Sequence, residues 1–290
     1  MSDTRTRPTL QEAIRAHHPL VVPGVHDGIS ALLVREAGFQ AAYVGSYATG
    51  ATRYGLPDIG YIGLEDMADQ VRRLAPVLDV PIIVDGEGGW GNPLHVAHAV
   101  RVLERAGAAA THIEDHVFGK HIMADPVLES VRETSDKIRA AVDARASEDF
   151  LIIGRTDASK RGPASADGPA AAVERMLAYQ EAGADGVFIA GQLDEEHWRL
   201  LKAEAKVPVY TVDFPGRSAA EVGAWGADVV LYRALGPFAA ARAMRRAFRT
   251  LAREGTTVPI EPELGTMPDF DVFLGIEEAR EEARRYGLLD

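Results

Sequence analysis

The sequence predicts an α/β protein that folds as a single (β/α)8 TIM-type barrel, and three observations lead to this prediction. Short runs rich in Val, Ile and Ala recur about every 20 to 40 residues. A segment with the apolar periodicity of a helix follows each run. Few polar residues interrupt the runs, as expected for parallel strands that are buried on both faces. An open, doubly wound sheet is the alternative, but eight equivalent units without a change in composition favour the closed barrel.

Eight runs are predicted as strands, and the clearest helical patterns lie between them or after the last. The strands are expected at 20–23, 41–45, 81–85, 109–114, 151–155, 186–190, 207–212 and 229–232. The helices that bury Leu, Val, Ala and Met at helical spacing are expected at 94–106, 135–146, 170–182 and 237–254.

One short phrase is repeated where a predicted helix gives way to a strand. It reads EAGF at 36–39, RAGA at 105–108, EAGA at 181–184 and WGAD at 225–228. Glycine at the end of a helix adopts the left-handed conformation that stops it, because it has no side chain to clash. Four copies of this joint indicate a repeated β-α unit.

The chain is expected to divide after residue 260. Residues 1–260 would form the barrel, and residues 261–290 would form a loop and helix extension. The stretch 259–268 is loop-like, and 271–289 is predicted as one charged amphipathic helix outside the repeat. We expect this extension to pack on a neighbouring subunit.

Composition excludes several classes of function. The chain has 290 residues, 31 basic and 43 acidic side chains, a net charge of −12 and no cysteine. A surface this acidic repels nucleic acid and anionic membranes, and without cysteine there is no disulfide, thiolate metal site or thiol nucleophile. The first residues lack the apolar core of a signal peptide, and no run reaches the roughly 18 apolar residues of a membrane span. We therefore expect a soluble, cytoplasmic protein.

Acidic residues follow the third and fourth predicted strands. Asp85, Glu87 and Glu114 should meet at the carboxyl end of the barrel, where the loops of such barrels build active sites. Crowded carboxylates repel one another unless a cation compensates, and oxygen ligands favour Mg²⁺, with Mn²⁺ as the other option. Asp58, after the second strand, could add a fourth carboxylate. The alternative is that these acids only cap helices.

Basic and histidine residues lie at the same predicted rim. Arg155 ends the fifth strand, where its planar guanidinium suits a substrate carboxylate or phosphonate, or an internal salt bridge to Glu114 or Asp157. Lys120 and His121 lie in the loop after the fourth strand, which is long enough to act as a lid. Lys120 would then position an anionic substrate or act as a base; otherwise it is simply solvated.

Several segments that contain these residues resemble the isocitrate lyase/phosphoenolpyruvate mutase superfamily, especially its short members related to methylisocitrate lyase. VDGEGGWGN at 84–92 is similar to the family loop Asp-x-Asp-Thr-Gly-Tyr/Phe-Gly, and GRTDA at 154–158 is similar to the family strand Ala-Arg-Thr-Asp-Ala. The remaining similar segments are PGVHDGIS at 23–30, GLPD at 55–58, HIEDH at 112–116 and the terminal stretch 271–289.

The resemblance implies a barrel, a bound Mg²⁺, a small acid substrate and a particular assembly. The residues it places around Mg²⁺, directly or through water, are Asp85, Glu87, Glu114 and Asp58. The residues it places on a 2-oxo or 2-hydroxy acid are Gly45, Ser46, Tyr47 and Arg155. It also implies homotetramers built as dimers of dimers, in which the terminal helix is exchanged between subunits.

The sequence departs from the family pattern in the lid and beyond. Lyases of the family have Lys-Arg-Cys-Gly-His in the lid, with the Cys as acid/base, whereas here His121 follows Lys120 directly. The polar Lys-Thr-Asn-Ser lid of the mutase and of phosphonopyruvate hydrolase is also missing. The family's Glu after strand six is replaced by Ala190, and its Asn after strand seven by Thr211 or Val212. Arg233, after strand eight, is predicted as a replacement contact for an anion.

These observations predict a Mg²⁺-dependent enzyme that cleaves a carbon–carbon bond. It would be a lyase or a decarboxylase that acts on a small 2-oxo or 2-hydroxy dicarboxylate through an enolate-like pyruvyl intermediate. Its predicted catalytic residues are Lys120, His116, His121 and Glu114, with Tyr47 as a further substitute for the missing Cys. The alternatives are carbon–phosphorus chemistry, as mutase or phosphonopyruvate hydrolase, and a barrel that binds a metabolite without turnover.

Overall fold

A computed structural model describes residues 8–117, 122, 127–160, 168–191 and 193–289. The chain divides into two compact units, Met1–Pro237 and Phe238–Asp290. The boundary predicted after residue 260 stays a prediction.

The first unit contains eight parallel strands in one sheet, ordered β1-β8-β7-β6-β5-β4-β3-β2. β1 pairs with β8, and a further parallel bridge joins Gly24 to Tyr43 between β1 and β2. β1 and β2 are the two ends of this order, and the bridge joins them, so the sheet closes on itself. This closure confirms the barrel and excludes the open sheet. The strands are β1 Leu20–Pro23, β2 Ala42–Val44, β3 Ile82–Asp85, β4 Ala110–Glu114, β5 Leu151–Thr156, β6 Gly186–Ile189, β7 Val209–Val212 and β8 Val229–Tyr232.

Helices precede, separate and follow the strands. Those predicted from periodicity are all present, although the helix predicted at 135–146 begins four residues earlier, where the side chain of Ser130 caps it. The helices are α1 Leu10–Ala16, α2 Gly28–Glu36, α3 Ser46–Tyr54, α4 Leu64–Leu74, α5 Pro93–Ala106, α6 Val131–Ala144, α7 Pro169–Glu181, α8 Glu195–Glu204, α9 Ala219–Trp225, α10 Leu235–Glu254, α11 Met267–Phe273 and α12 Ile276–Arg285.

The repeated helix-to-strand joint has the predicted conformation. Its glycines all have positive φ angles: 76° at Gly38, 103° at Gly107, 99° at Gly183 and 127° at Gly226. A side chain at these positions would be strained, because L residues rarely adopt this backbone conformation. The repeated phrase is therefore explained by backbone geometry.

Alternation along each strand decides which side chains enter the barrel, because successive residues of a strand point to opposite faces. The interior apolar cluster includes Ile83, Ala110 and Ile153, whereas their neighbours Ile82 and Val84 pack in the outer cluster. Burial of each Val, Leu or Ile side chain contributes about 1.5–3 kcal/mol to the free energy of folding. The same alternation continues to the strand ends and places the polar residues described below.

The second unit corrects the sequence prediction for the C-terminus. A single helix was expected at 271–289 after a loop at 259–268, but the unit contains a 3-10 helix at Val258–Glu263, then α11 and α12. Thr266 caps α11, and Pro268 lies in its first turn, where proline is favoured. Gly275, with a φ of 90°, separates α11 from α12. Proline therefore marks the start of a helix here, whereas the prediction treated it as part of a loop.

No helix among the described residues is both long enough and apolar enough to cross a membrane.

Candidate active site

Three strands bring charged side chains to the carboxyl end of the barrel. Asp85 follows Ile83 on the inner face of β3, Glu114 follows Ala110 and His112 on β4, and Arg155 follows Ile153 on β5. All three charged residues are less than a tenth exposed. The structure therefore brings Asp85, Glu114 and Arg155 to one rim.

Asp85 is held by hydrogen bonds from β2, α3 and its own loop. Its Oδ2 accepts from Ser46 Oγ at 2.9 Å, from Ser46 N at 3.3 Å and from Tyr43 OH at 3.2 Å. Its Oδ1 accepts from Glu87 N at 3.0 Å. Ser46 is the first residue of α3, so the carboxylate lies at a helix N-terminus, where negative charge is stabilised.

Tyr43 and His112 lie beside Asp85, and the sequence analysis missed both. Tyr43 OH is 3.0 Å from His112 Nε2, the two rings are stacked, and the edge of His112 meets the ring of Phe188. His112 is fully buried. The alternation of side chains along β4 could have predicted the position of His112, because His112 precedes Glu114 by two residues and therefore lies on the same face of the strand.

Arg155 joins two carboxylates. Its guanidinium contacts Glu114 Oε2 at 2.9 Å and Asp157 Oδ1 at 3.1 Å, and it lies over the ring of Phe188. Burial lowers the pKa of Arg155, but the negative charges of Asp157, Glu114 and Asp85 outweigh burial, so this pKa is raised well above its usual value. Both internal salt bridges considered from the sequence are present.

The glycine-rich loop after β3 has a constrained backbone. Glu87 and Trp90 have positive φ angles of 48° and 56°, which are uncommon for residues with side chains. Trp90 Nε1 donates to the carbonyl oxygen of Ile62 at 3.1 Å and so connects this loop to the segment after α3. A Cβ on Gly86 would lie 2.5 Å from the carbonyl oxygen of His112, so only glycine fits there.

Asp115 is a structural anchor beneath the rim and does not cap a helix. It accepts hydrogen bonds from Thr156 Oγ1 at 2.6 Å, Asp157 N at 3.0 Å and Tyr179 OH at 2.8 Å, and it pairs with Arg175 at 3.2 Å. Burial raises the pKa of Asp115, although the hydrogen bonds from Thr156 and Asp157 oppose this rise. The network joins β4, β5 and α7 below the site.

A cavity of about 100 Å³ opens among these residues. His116 faces it, and its Nδ1 lies 3.4 Å from Asp157 Oδ2. The sequence analysis did not single out Lys137 and Glu129, which also line the cavity. Among the described residues, the lining is Gly60, Glu87, Gly88, Trp90, Gly91, Glu114, His116, Val117, Glu129 and Lys137.

The remaining predicted site residues are more scattered. Gly45 directly precedes α3, where a Cβ would lie 2.7 Å from the ring of Tyr43. Tyr47 is 36% exposed, Asp58 is half-buried, and Arg233 is exposed and outside the cavity lining. Lys120 and His121 lie outside the described residues, so their predicted roles are not examined by the structure.

The donor atoms of the site fit a bound divalent cation. Asp85, Glu87, Glu114 and Asp157 are buried carboxylates, and carboxylate oxygens are the ligands that hard divalent ions prefer. Within the described ranges, no three acidic or histidine side chains are close enough to ligate one ion together. Mg²⁺ commonly takes one or two carboxylates and keeps several waters. The residues therefore fit Mg²⁺ held partly through water.

Comparison with known proteins points to one family. The model for phosphoenolpyruvate phosphomutase matches residues 10–252. The chain is similar to 2,3-dimethylmalate lyase of Eubacterium barkeri, with 32% identity over 97% of this chain and 98% of the relative.

Solved structures give the same result. The crystal structure of phosphoenolpyruvate phosphomutase from Streptomyces platensis subsp. rosaceus has a TM-score of 0.88 and 31% identity, over 96% of this chain and 98% of that one. Phosphonopyruvate hydrolase in complex with oxalate and Mg²⁺ has a TM-score of 0.84 and 29% identity, over 96% and 97% of the two chains.

Proposed function

The chain belongs to the phosphoenolpyruvate phosphomutase family, and on this premise we propose that it is a Mg²⁺-dependent carbon–carbon lyase or decarboxylase. Its substrate would be a small 2-oxo or 2-hydroxy dicarboxylate. One observation carries the proposal: the buried carboxylates of Asp85, Glu87 and Glu114 lie at the carboxyl end of the barrel. There Glu87 and Glu114 line a cavity, and Arg155 pairs with Glu114. The similarity to a dimethylmalate lyase supports the dicarboxylate class.

Asp85, Glu87 and Glu114 would hold Mg²⁺, directly or through water, with Asp58 as a further ligand. A bound Mg²⁺ would act as a Lewis acid that polarises the carbonyl of the substrate. The structure of a related hydrolase supports this choice of ion, because it contains Mg²⁺ together with oxalate, a small dicarboxylate.

The chain's own residues would bind and orient the acid. Arg155 offers a fixed cation for a carboxylate, or for the negative charge that develops on the departing pyruvyl fragment. Gly45, Ser46 and Tyr47 lie at the start of α3, and the N-terminus of a helix suits an anion. Arg233 and Lys120 are proposed as contacts for the far end of the substrate.

His116 is proposed as the acid/base that replaces the family's lid Cys, because the chain contains no cysteine. It lines the cavity, and Asp157 lies 3.4 Å from its Nδ1. A proton on Nδ1 would face that carboxylate, which leaves Nε2 as the ring nitrogen that exchanges a proton with the substrate. His121 and Tyr47 are the other candidates, and a decarboxylase would need none of the three for loss of CO₂.

Carbon–phosphorus chemistry is the second candidate function. The similarity to the Streptomyces phosphomutase structure favours it, and Arg155 would suit a phosphonate. Against it, the lid lacks the polar Lys-Thr-Asn-Ser sequence of those enzymes. A barrel that only binds a metabolite has less support, because the carboxylates required for the metal are retained.

A substrate screen with product analysis tests the proposal. The protein with Mg²⁺ would be mixed with oxaloacetate, alkylmalates, methylisocitrate and phosphonopyruvate, and products would be identified by NMR. Pyruvate with CO₂ indicates a decarboxylase, cleavage to two organic fragments indicates a lyase, and phosphate indicates carbon–phosphorus cleavage. EDTA should abolish turnover and Mg²⁺ should restore it. Full activity in EDTA would refute the metal role.

We also propose a homotetramer, built as a dimer of dimers with exchanged C-terminal segments, in the cytoplasm. The second unit exposes large apolar side chains, among them Phe248, Phe270 and Leu274, and exposed apolar surface of this kind commonly marks an interface. Light scattering coupled to gel filtration would measure the mass, and a monomer at micromolar concentration would refute the assembly.

A further inference from the structure

A buried lysine outside the predicted site contacts the glycine-rich loop 86–91, the carboxylate loop, which presents Glu87. Lys137 lies on α6, and its side chain is only 7% exposed. A lysine is rarely buried without partners that compensate its charge. Among the described residues, Lys137 has two such partners: its Nζ donates to the carbonyl oxygen of Gly88 at 2.8 Å and to Glu129 Oε1 at 2.5 Å.

The Gly88 contact acts on the loop that presents Glu87. Gly88 directly follows Glu87, whose φ of 48° is an uncommon backbone conformation, so contacts from elsewhere must hold it. Glu87 O in turn accepts from Glu114 N at 2.9 Å. A shift of the Gly88 carbonyl would therefore move the backbone that sets both Glu87 and Glu114.

Glu129 belongs to a second segment beside the site. Residues 127–129 pair with 115–117, since Val117 N donates to Val127 O and Glu129 N donates to Asp115 O, both at 2.8 Å. The carbonyl oxygen of Glu129 also accepts from Arg175 at 2.9 Å. Lys137 thus connects the carboxylate loop to a strand-like segment that is itself fixed to the anchor around Asp115.

We propose that Lys137 is a positioning residue that fixes the backbone of loop 86–91 and thereby the carboxylate of Glu87 for the metal. The proposal rests on the proposed function, because Glu87 matters in this way only if the site binds a divalent ion. Lys137 acts through the Gly88 carbonyl and Glu129, and it borders the same cavity as Glu87, Glu114 and His116.

The test compares K137M, which keeps the aliphatic stem without the charge, with K137R, which keeps a cationic donor. R139M is the matched control, because Arg139 is on the same helix but is exposed and pairs with the nearby Asp136. Two quantities are measured: Mn²⁺ affinity, from the EPR signal of the free ion, and hydrogen exchange of the 86–91 amides. Steady-state kcat and KM are recorded as well.

We expect K137M to bind Mn²⁺ about 10- to 100-fold more weakly, as is usual when an outer partner of a metal site is lost. Exchange in 86–91 should be faster, kcat should fall more than KM rises, and K137R should recover most of each property. Unchanged Mn²⁺ affinity with unchanged exchange in K137M would overturn the proposal. So would an equal loss in R139M.

A double variant and the measurements on the wild-type protein separate the role of Lys137 from a folding defect and from failure of the proposed function. If K137M does not fold, because Glu129 then lacks its cation, the double variant K137M/E129Q removes both charges and should show the same weakened binding and faster exchange. If the wild-type protein neither binds Mn²⁺ nor turns over any acid in the screen, the proposed function fails. The exchange experiment still decides whether Lys137 fixes the loop.

Discussion

Replacing Asp85 with Asn tests the metal site with the least change in shape. An Asn oxygen in place of Oδ2 would keep the contacts from Ser46 and Tyr43, whereas its NH₂ group would face Glu87 N and lose that hydrogen bond. Loss of one bond to a charged group costs about 1.5–3 kcal/mol. Removing a negative charge among crowded carboxylates offsets part of this cost. The protein should therefore stay folded, because domains are stable by about 5–15 kcal/mol.

Activity should respond far more strongly than stability. Loss of a metal-binding charge removes several kcal/mol of transition-state stabilisation, and about 4 kcal/mol corresponds to a fall of roughly 10³ in kcat/KM. The assays are steady-state kinetics on the substrate found in the screen, Mn²⁺ binding by EPR, and thermal unfolding. Asp85→Asn should lose Mn²⁺ binding and shift Tm by only several degrees.

The matched control is Asp66→Asn on α4. Asp66 also accepts hydrogen bonds, from Gly63 N at 3.0 Å and Tyr54 OH at 2.6 Å, but it does not line the cavity. It should keep wild-type kinetics and Mn²⁺ affinity. Wild-type Mn²⁺ binding and kcat/KM in Asp85→Asn would refute the reasoning, and would leave Asp85 as a residue that only orders the start of α3.

Two other substitutions test the residues around the cavity. Arg155→Lys keeps the charge but not the planar guanidinium that contacts Glu114 and Asp157 together. We expect kcat/KM to fall about 10- to 100-fold, which is equivalent to the loss of one charge-assisted hydrogen bond. Kinetics equal to those of the wild type would argue against a role in binding the acid. His116→Gln should lower kcat about 10²- to 10⁴-fold, as expected for loss of a general acid or base, while EPR shows unchanged Mn²⁺ affinity. A pH profile of His116→Gln with the same inflections as the wild type would assign the acid/base role to another residue.

Much of the fold could be read from the chain because it depends on local patterns. Apolar runs mark the strands, and the glycines at 38, 107, 183 and 226 mark the helix ends through their positive φ angles. The C-terminal unit was predicted less well, because proline at 268 can begin a helix as readily as lie in a loop, and only the surroundings decide.

For the site, the order of the strands was sufficient to bring Asp85, Glu114 and Arg155 to one rim, because parallel strands of a barrel end on the same side. The partners of these residues were not predictable. Arg155 bridges Glu114 and Asp157, and Tyr43 reaches Asp85 across 42 positions of the chain.

The sequence by itself determined the barrel, the acidic rim and the family, since each is encoded in short segments whose periodicity or motif can be recognised alone. Only the tertiary structure decided that Lys137 is buried against Gly88, 49 positions away. From sequence alone, a lysine on a helix is predicted to be exposed to solvent. Only the packing of another segment against it shows that it is buried. Which polar groups meet is therefore settled by the folded chain, because burial and charge pairing exist only between surfaces that folding brings together.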